Sequence, residues 1–73
     1  MDETLDTSGL ICPLPVLRAR KELKGMSPGD VLTMISTDPV SAIDIPHMCE
    51  TDGHELMEMI KSGSQITFYI RRK

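Results

Sequence analysis

The stretch Cys12-Pro13-Leu14-Pro15 sets a thiol directly before two prolines, where the chain turns from a strand-like to a helix-like pattern. Pro13 suits the first helical position, where a missing N–H is no loss, and this makes Cys12 the expected N-cap. A thiol at a helix N-terminus lies at the positive end of the helix field, which favours the thiolate and lowers its pKa. Arg18, Arg20, Lys21 and Lys24, half of the eight basic residues, follow closely and act in the same direction. The prolines temper the effect, because positions 13 and 15 offer the sulfur no N–H. Intrinsic nucleophilicity falls as thiol pKa falls, so a moderate lowering suits a thiol that must pass a group on. The sequence therefore predicts an outward-facing Cys12, more reactive than a free cysteine, on a loop shaped by Pro13 and Pro15. An ordinary helix start is the bland alternative for the same residues.

The remaining chemistry-bearing residues point elsewhere. Cys49 lies far from Cys12 in sequence. It reads as a buried packing residue or, alternatively, as a resolving thiol for Cys12, which requires close approach of the two sulfurs. His47, Met48 and Cys49 are consecutive and cannot converge from a helix, and there is no C-x-x-C, so no metal or cofactor is expected. His54 reads as a surface or capping residue. The basic segment after Cys12 and the run Arg71-Arg72-Lys73 raise the possibility of an RNA-associated docking module. One Tyr, one Phe, no Trp and a net charge of -3 leave no stacking platform, so direct nucleic-acid binding is not expected. Basic residues gathered on an acidic chain point instead to an electrostatically steered protein partner, or to a solvated helix face.

The elements that must position this thiol follow from pattern and length. A chain of 73 residues buries only about 60% of the surface it exposes when unfolded, which leaves no room for a deep substrate pocket. Chemistry then belongs on the surface, as in a carrier or docking module. No apolar run approaches the roughly 20 residues of a membrane span, and the acidic start lacks a secretory pattern, so a cytoplasmic location is expected.

"TLDTS" reads as a first strand and "CPLPVLRARKELKG" as a helix closed by Gly25. Val16, Ala19, Leu23 and Met26 form its inward stripe, while Arg18, Lys21 and Lys24 face elsewhere. Leu14 and Leu17 flank that stripe, as peripheral core or as an apolar rim for a partner. "VLTMIST" reads as a central strand. A second helix starts at Asp38 as N-cap with Pro39 first and ends at Gly53, and Pro46 predicts a kink or two short pieces. "HELMEMIK" is helix-like in composition, yet the "SGS" turn and the alternating "QITFYIR" favour a hairpin. In that last strand Ile66, Phe68 and Ile70 face the helices and Thr67, Tyr69 and Arg71 face outward. The order β-α-β-α-β-β with right-handed crossovers gives an α/β (α+β) two-layer sandwich, a single domain over residues 1–73.

With these residues in view, the sequence resembles the TusA (SirA-like) sulfur-carrier family, whose signature is a C-P-x-P motif at the start of the first helix. The likeness extends from Leu5-Asp6 and Gly9-Leu10 through Pro28-Gly29-Asp30, Asp38-Pro39, Asp44-Ile45-Pro46, Cys49 and Gly53-His54-Glu55 to Tyr69-Ile70-Arg71. The resemblance implies a four-stranded mixed sheet with two helices on one face and a persulfide formed on Cys12. It implies a sulfurtransferase in the sense of a persulfide carrier. Sulfur would come from a donor, a cysteine desulfurase or rhodanese-type enzyme, and go to an acceptor protein. Leu14, Leu17, Arg18, Lys21 and Lys24 on the first helix would form the docking surface. The family serves tRNA 2-thiouridine formation, molybdenum cofactor assembly and dissimilatory sulfur oxidation, and the first is the expected destination. A redox or regulatory thiol protein is the other reading of the same cysteine, weakened by the lack of C-x-x-C.

Overall fold

The computed structural model describes residues 1–73 and contains β1 (Glu3–Thr7), α1 (Leu14–Lys24), β2 (Val31–Ser36), α2 (Ser41–Asp52), β3 (Glu55–Ser62) and β4 (Gln65–Arg71). The strands form one sheet in the order β1-β2-β4-β3. β1 and β2 run parallel, as a strand–helix–strand crossover demands, while β4 pairs antiparallel with both β2 and β3. This is the expected four-stranded mixed sheet. No helix is long and apolar enough to cross a membrane.

One face of the sheet carries both helices. Leu32 and Met34 of β2 and Ile66, Phe68 and Ile70 of β4 are buried against Ala19 and Leu23 of α1 and Ile45, Met48 and Cys49 of α2. The period-2 alternation of "QITFYIR" does what it predicts: its even-numbered residues are buried and Thr67, Tyr69 and Arg71 are half-buried on the open face. The α1 stripe also falls where its spacing predicts, with Ala19, Leu23 and Met26 in the core and Val16 packed against it. The hairpin turns at Gly63-Ser64, between the paired residues Ser62 and Gln65, and Gly63 takes a positive φ of 60°. Met57 is the extra residue of a bulge in β3, between the pairs Leu56–Ile70 and Glu58–Tyr69.

The two helix starts differ from expectation. α1 begins at Leu14 with Pro13 as N-cap, so Cys12 lies one residue outside the helix. α2 begins at Ser41 with Val40 as N-cap, and residues 38–43 lead into it through a tighter turn, Ser41 N–H to Asp38 O and Ala42 N–H to Pro39 O. Asp38 is thus not the N-cap; its carboxylate is drawn off to bridge two loops. Pro46 does not divide α2 either, and the helix runs unbroken through Asp52. The proline costs about 3 kcal/mol. Ile45 and Met48, on either side of it, are both buried in the same core, at about 1.5–3 kcal/mol each, and hold the two halves together. Gly53, at φ 79°, closes the helix as predicted, its N–H and that of His54 both donating to the Cys49 carbonyl.

Candidate functional site

Because β1 and β2 are parallel, the loops that follow them leave the same edge of the sheet, and so do the N-termini of α1 and α2. Cys12 sits in the first of these loops. Three bonds stitch β1 and this loop to β2 and the loop after it: Thr7 Oγ1 donates to Ile35 O at 2.6 Å, Gly9 N–H to Thr37 Oγ1 at 2.9 Å, and Cys12 N–H to Asp38 Oδ2 at 2.6 Å. Asp38 is itself fixed on every side. Its other carboxylate oxygen accepts from Val40 N–H, its N–H donates to Ser36 Oγ, and its carbonyl accepts from Ser41 Oγ. The Cys12 backbone is thereby held through a buried carboxylate, and the Cys12–Pro13 peptide bond is cis.

The Cys12 side chain is exposed, as its place before two prolines predicts. Its thiol donates to Asp44 Oδ2 at 3.1 Å. That hydrogen bond is the main cause of a pKa raised above the ordinary cysteine value, with desolvation and the charges of Asp44 and Asp38 acting in the same direction. The sequence predicts the opposite, a moderate lowering by the helix field and the α1 cations. Two facts overturn it. Cys12 is outside the helix, and the groups that face it are carboxylates from the other loop and helix. The proposed balance between prolines and a partly stabilised anion is therefore absent from the free protein.

The residues assigned to docking divide into two places. Leu14 and Leu17 are about half exposed in the first half of α1, and Ile11 and Ile43, next to Cys12 and Asp44 in the chain, are exposed as well. Lys21 and Lys24 lie toward the other end of the helix, about 10 Å and 15 Å along its axis from Leu14 at 1.5 Å per residue. There they join Arg20, His54, Arg72 and Lys73 in a groove of about 610 Å³, open to solvent and interrupted by Asp52, which pairs with Arg20. Arg18 is exposed on α1 but does not line this groove. Beside the thiol itself there is only a shallow notch between Cys12, Pro15, Val16, Asp38, Ser41 and Asp44, with no room for a water-sized molecule. The thiol is exposed beside this notch and not enclosed in a cavity.

Cys49 is buried in the core, 2% exposed, and burial pushes its thiol up to about 11, so it packs rather than reacts. His54 lies just before β3 and its Nδ1 accepts the Lys73 N–H. No three His, Cys, Asp or Glu side chains are grouped to hold a metal ion. Sequence reasoning missed Asp44 and the cross-loop role of Asp38. Topology holds the signal for both, since two parallel strands with helical crossovers bring an acid in the first turn of α2 to the edge where α1 starts.

Comparison with known proteins agrees with this geometry. The family profile described as "Sulfurtransferase TusA" matches residues 3–72. The chain is 48% identical to the sulfur carrier protein TusA of Allochromatium vinosum, over 97% of this chain and 93% of that one. It is 38% identical to the sulfur carrier protein TusA of Pseudomonas aeruginosa, over 100% of this chain and 92% of the other. Its fold matches the crystal structure of a SirA-like protein from Desulfitobacterium hafniense with a TM-score of 0.81, at 31% identity, covering 94% of this chain and 95% of that one. A thiol on a C-P-x-P loop, at the edge of this four-stranded sheet, thus stands in a chain that belongs to the TusA family.

Proposed function

We propose that residues 1–73 act as one sulfur-carrier unit that accepts sulfane sulfur on Cys12 as a persulfide and relays it to an acceptor protein. The observation that carries this reading is the exposed Cys12, presented beside no substrate cavity, in a chain of the TusA family. In loading, the Cys12 sulfur attacks the outer sulfur of a donor persulfide. The new S–S bond forms as the donor's S–S bond breaks, and the donor cysteine leaves as a thiolate. Discharge repeats the step with Cys12 as the leaving thiol. A cysteine desulfurase or a rhodanese-type enzyme fits the donor role, and tRNA 2-thiouridine formation in the cytoplasm fits the destination. Pro13 and Pro15 shape the loop that presents the sulfur. Leu14 and Leu17 give an apolar contact near it, and Arg18, Lys21 and Lys24 add a charged contact that steers an acidic donor.

The test is incubation with a cysteine desulfurase and cysteine, with intact masses measured before and after reduction. The unaltered protein and Cys49→Ser gain one reducible sulfur, and Cys12→Ser gains none. No gain from this donor, nor from thiosulfate with a rhodanese, would overturn the carrier reading and leave a redox or docking role for the same fold.

A further inference from the structure

Asp44 Oδ2 touches the reacting atom, 3.1 Å from Cys12 Sγ. Its carboxylate has no cation of its own, because the three ion pairs of the protein engage Asp30, Asp52 and Glu55. The charges that bear on Cys12 are those of Asp44 from α2 and Asp38 from the loop before it, and no α1 cation is among them. Exposed apolar residues stand on the same elements: Ile11 and Ile43, which precede Cys12 and Asp44 in the chain, are 70% and 73% exposed, and Leu14 and Leu17 in the first half of α1 are 44% and 51% exposed. An unpaired carboxylate on an end of the molecule that also exposes large apolar side chains is complementary to a protein surface that carries a cation inside an apolar patch.

Resting on the persulfide reading, we propose that Asp44 decides when Cys12 reacts: its carboxylate retains the thiol proton in the free protein, and the thiolate forms when a docking protein seats a lysine or arginine against Asp44. The partner this surface fits therefore carries a cation, ringed by apolar side chains, beside its own reactive sulfur. On docking, the Cys12 S–H bond breaks, the proton passes to water and the electron pair stays on Sγ. That pair bonds to the outer sulfur of the partner's persulfide as the partner's S–S bond breaks. The partner's cysteine sulfur leaves with the electrons and takes a proton from water. No oxidant or reductant is consumed.

The same carboxylate acts on discharge. A thiol leaves more slowly as its pKa rises, so with Asp44 unpaired the loaded sulfur resists release to small thiols. A cation supplied by the correct acceptor lifts that restraint. Asp44 is in this sense a specificity-determining residue, and the exposed apolar side chains are the surface that reads the partner.

The test is the pH profile of alkylation by iodoacetamide in a Cys49→Ser background, where Cys12 is the sole thiol. Asp44→Asn removes the charge and keeps the shape. His47 is exposed one turn on from Asp44 in α2, and residues three apart on a helix are neighbours, so His47→Lys places an ammonium near Asp44, and His47→Gln controls for the loss of the imidazole. Both Asp44→Asn and His47→Lys shift the profile to lower pH and raise the rate at pH 7 by roughly five- to tenfold, while His47→Gln leaves it unchanged. An unshifted Asp44→Asn profile would overturn the proposal. A shift in Asp44→Asn with none in His47→Lys would overturn it too, since a cation would not then release the thiol. If circular dichroism shows Asp44→Asn unfolded, His47→Lys decides alone. Alkylation reads the thiol and not its cargo, so a shifted profile without sulfur loading would sink the persulfide reading and spare the proton-holding role of Asp44.

Discussion

The two ends of α1 face opposite charge. At the start of the helix an exposed thiol faces the carboxylates of Asp38 and Asp44, on an end that also exposes large apolar side chains. Toward its end Arg20, Lys21 and Lys24 meet Arg72 and Lys73 in an open basic groove. A reading from sequence spacing alone merges these into one basic surface around a cysteine. The structure separates the basic groove from the thiol. Arg20, Lys21 and Lys24 lie about two to three helical turns beyond Leu14, and exposed charges at such distances are largely screened from the sulfur. On the proposal above, these cations steer an acidic protein while the carboxylates at the thiol end hold the sulfur protonated until contact.

Several substitutions would break or sharpen this division. The largest effect on stability is expected at Asp38, which accepts the N–H groups of both Cys12 and Val40 from a buried position. Asp38→Ala leaves those donors without their acceptor and lowers the unfolding free energy by about 1.5–3 kcal/mol, measured by urea denaturation. It also loosens the Cys12 loop, so a variant of unchanged stability would mean that the stitched loops do not hold the site. At the other end, Lys21→Glu with Lys24→Glu weakens binding to an acidic sulfur donor on the order of tenfold at low salt, read by calorimetry, and flattens the salt dependence. Alkylation of Cys12 in that variant stays as in the parent. A changed alkylation rate would show that the two ends are electrically coupled after all.

The smallest effect concerns Cys49, the buried counterpart of Cys12. Both thiols have raised pKa values, but for Cys49 the first cause is burial, with the charge of Asp52 adding to it. The unfolded chain ionises this thiol first as pH rises from the ordinary value of 9.0. Its contribution to stability is therefore intact below about pH 9 and is lost as pH climbs through about 11. Thermal unfolding followed from pH 8 upward shows a decline over that window which Cys49→Ala makes shallower. An unaltered decline in Cys49→Ala would place the alkaline sensitivity elsewhere.

Legibility from sequence followed the range of the interactions involved. The hairpin was readable because the alternation of Ile66, Phe68 and Ile70 and the Gly63 turn are local signals, and the α1 stripe because its period is intrinsic to a helix. The exposure of Cys12 was readable from its own neighbours. What failed was long-range or competitive. Pro46 is a valid local signal for a kink, but the burial of Ile45 and Met48 outweighs it. Asp38 is a plausible local N-cap, but its carboxylate is engaged by the Cys12 loop, 26 residues away. The sulfur's proton depends on Asp44, 32 residues away, and only the packing of two parallel crossovers brings that charge to it. The cations nearest in sequence were the wrong ones to weigh.

The central claim is that Cys12, and not Cys49, bears the transferred sulfur. Tandem mass spectrometry of the protein after loading by a cysteine desulfurase, with free persulfides trapped by alkylation before digestion, reads this directly. The account predicts one additional sulfur on the peptide containing Cys12 and an unmodified peptide containing Cys49. Sulfur found on Cys49, or a disulfide joining the two cysteines in place of a persulfide, would contradict it.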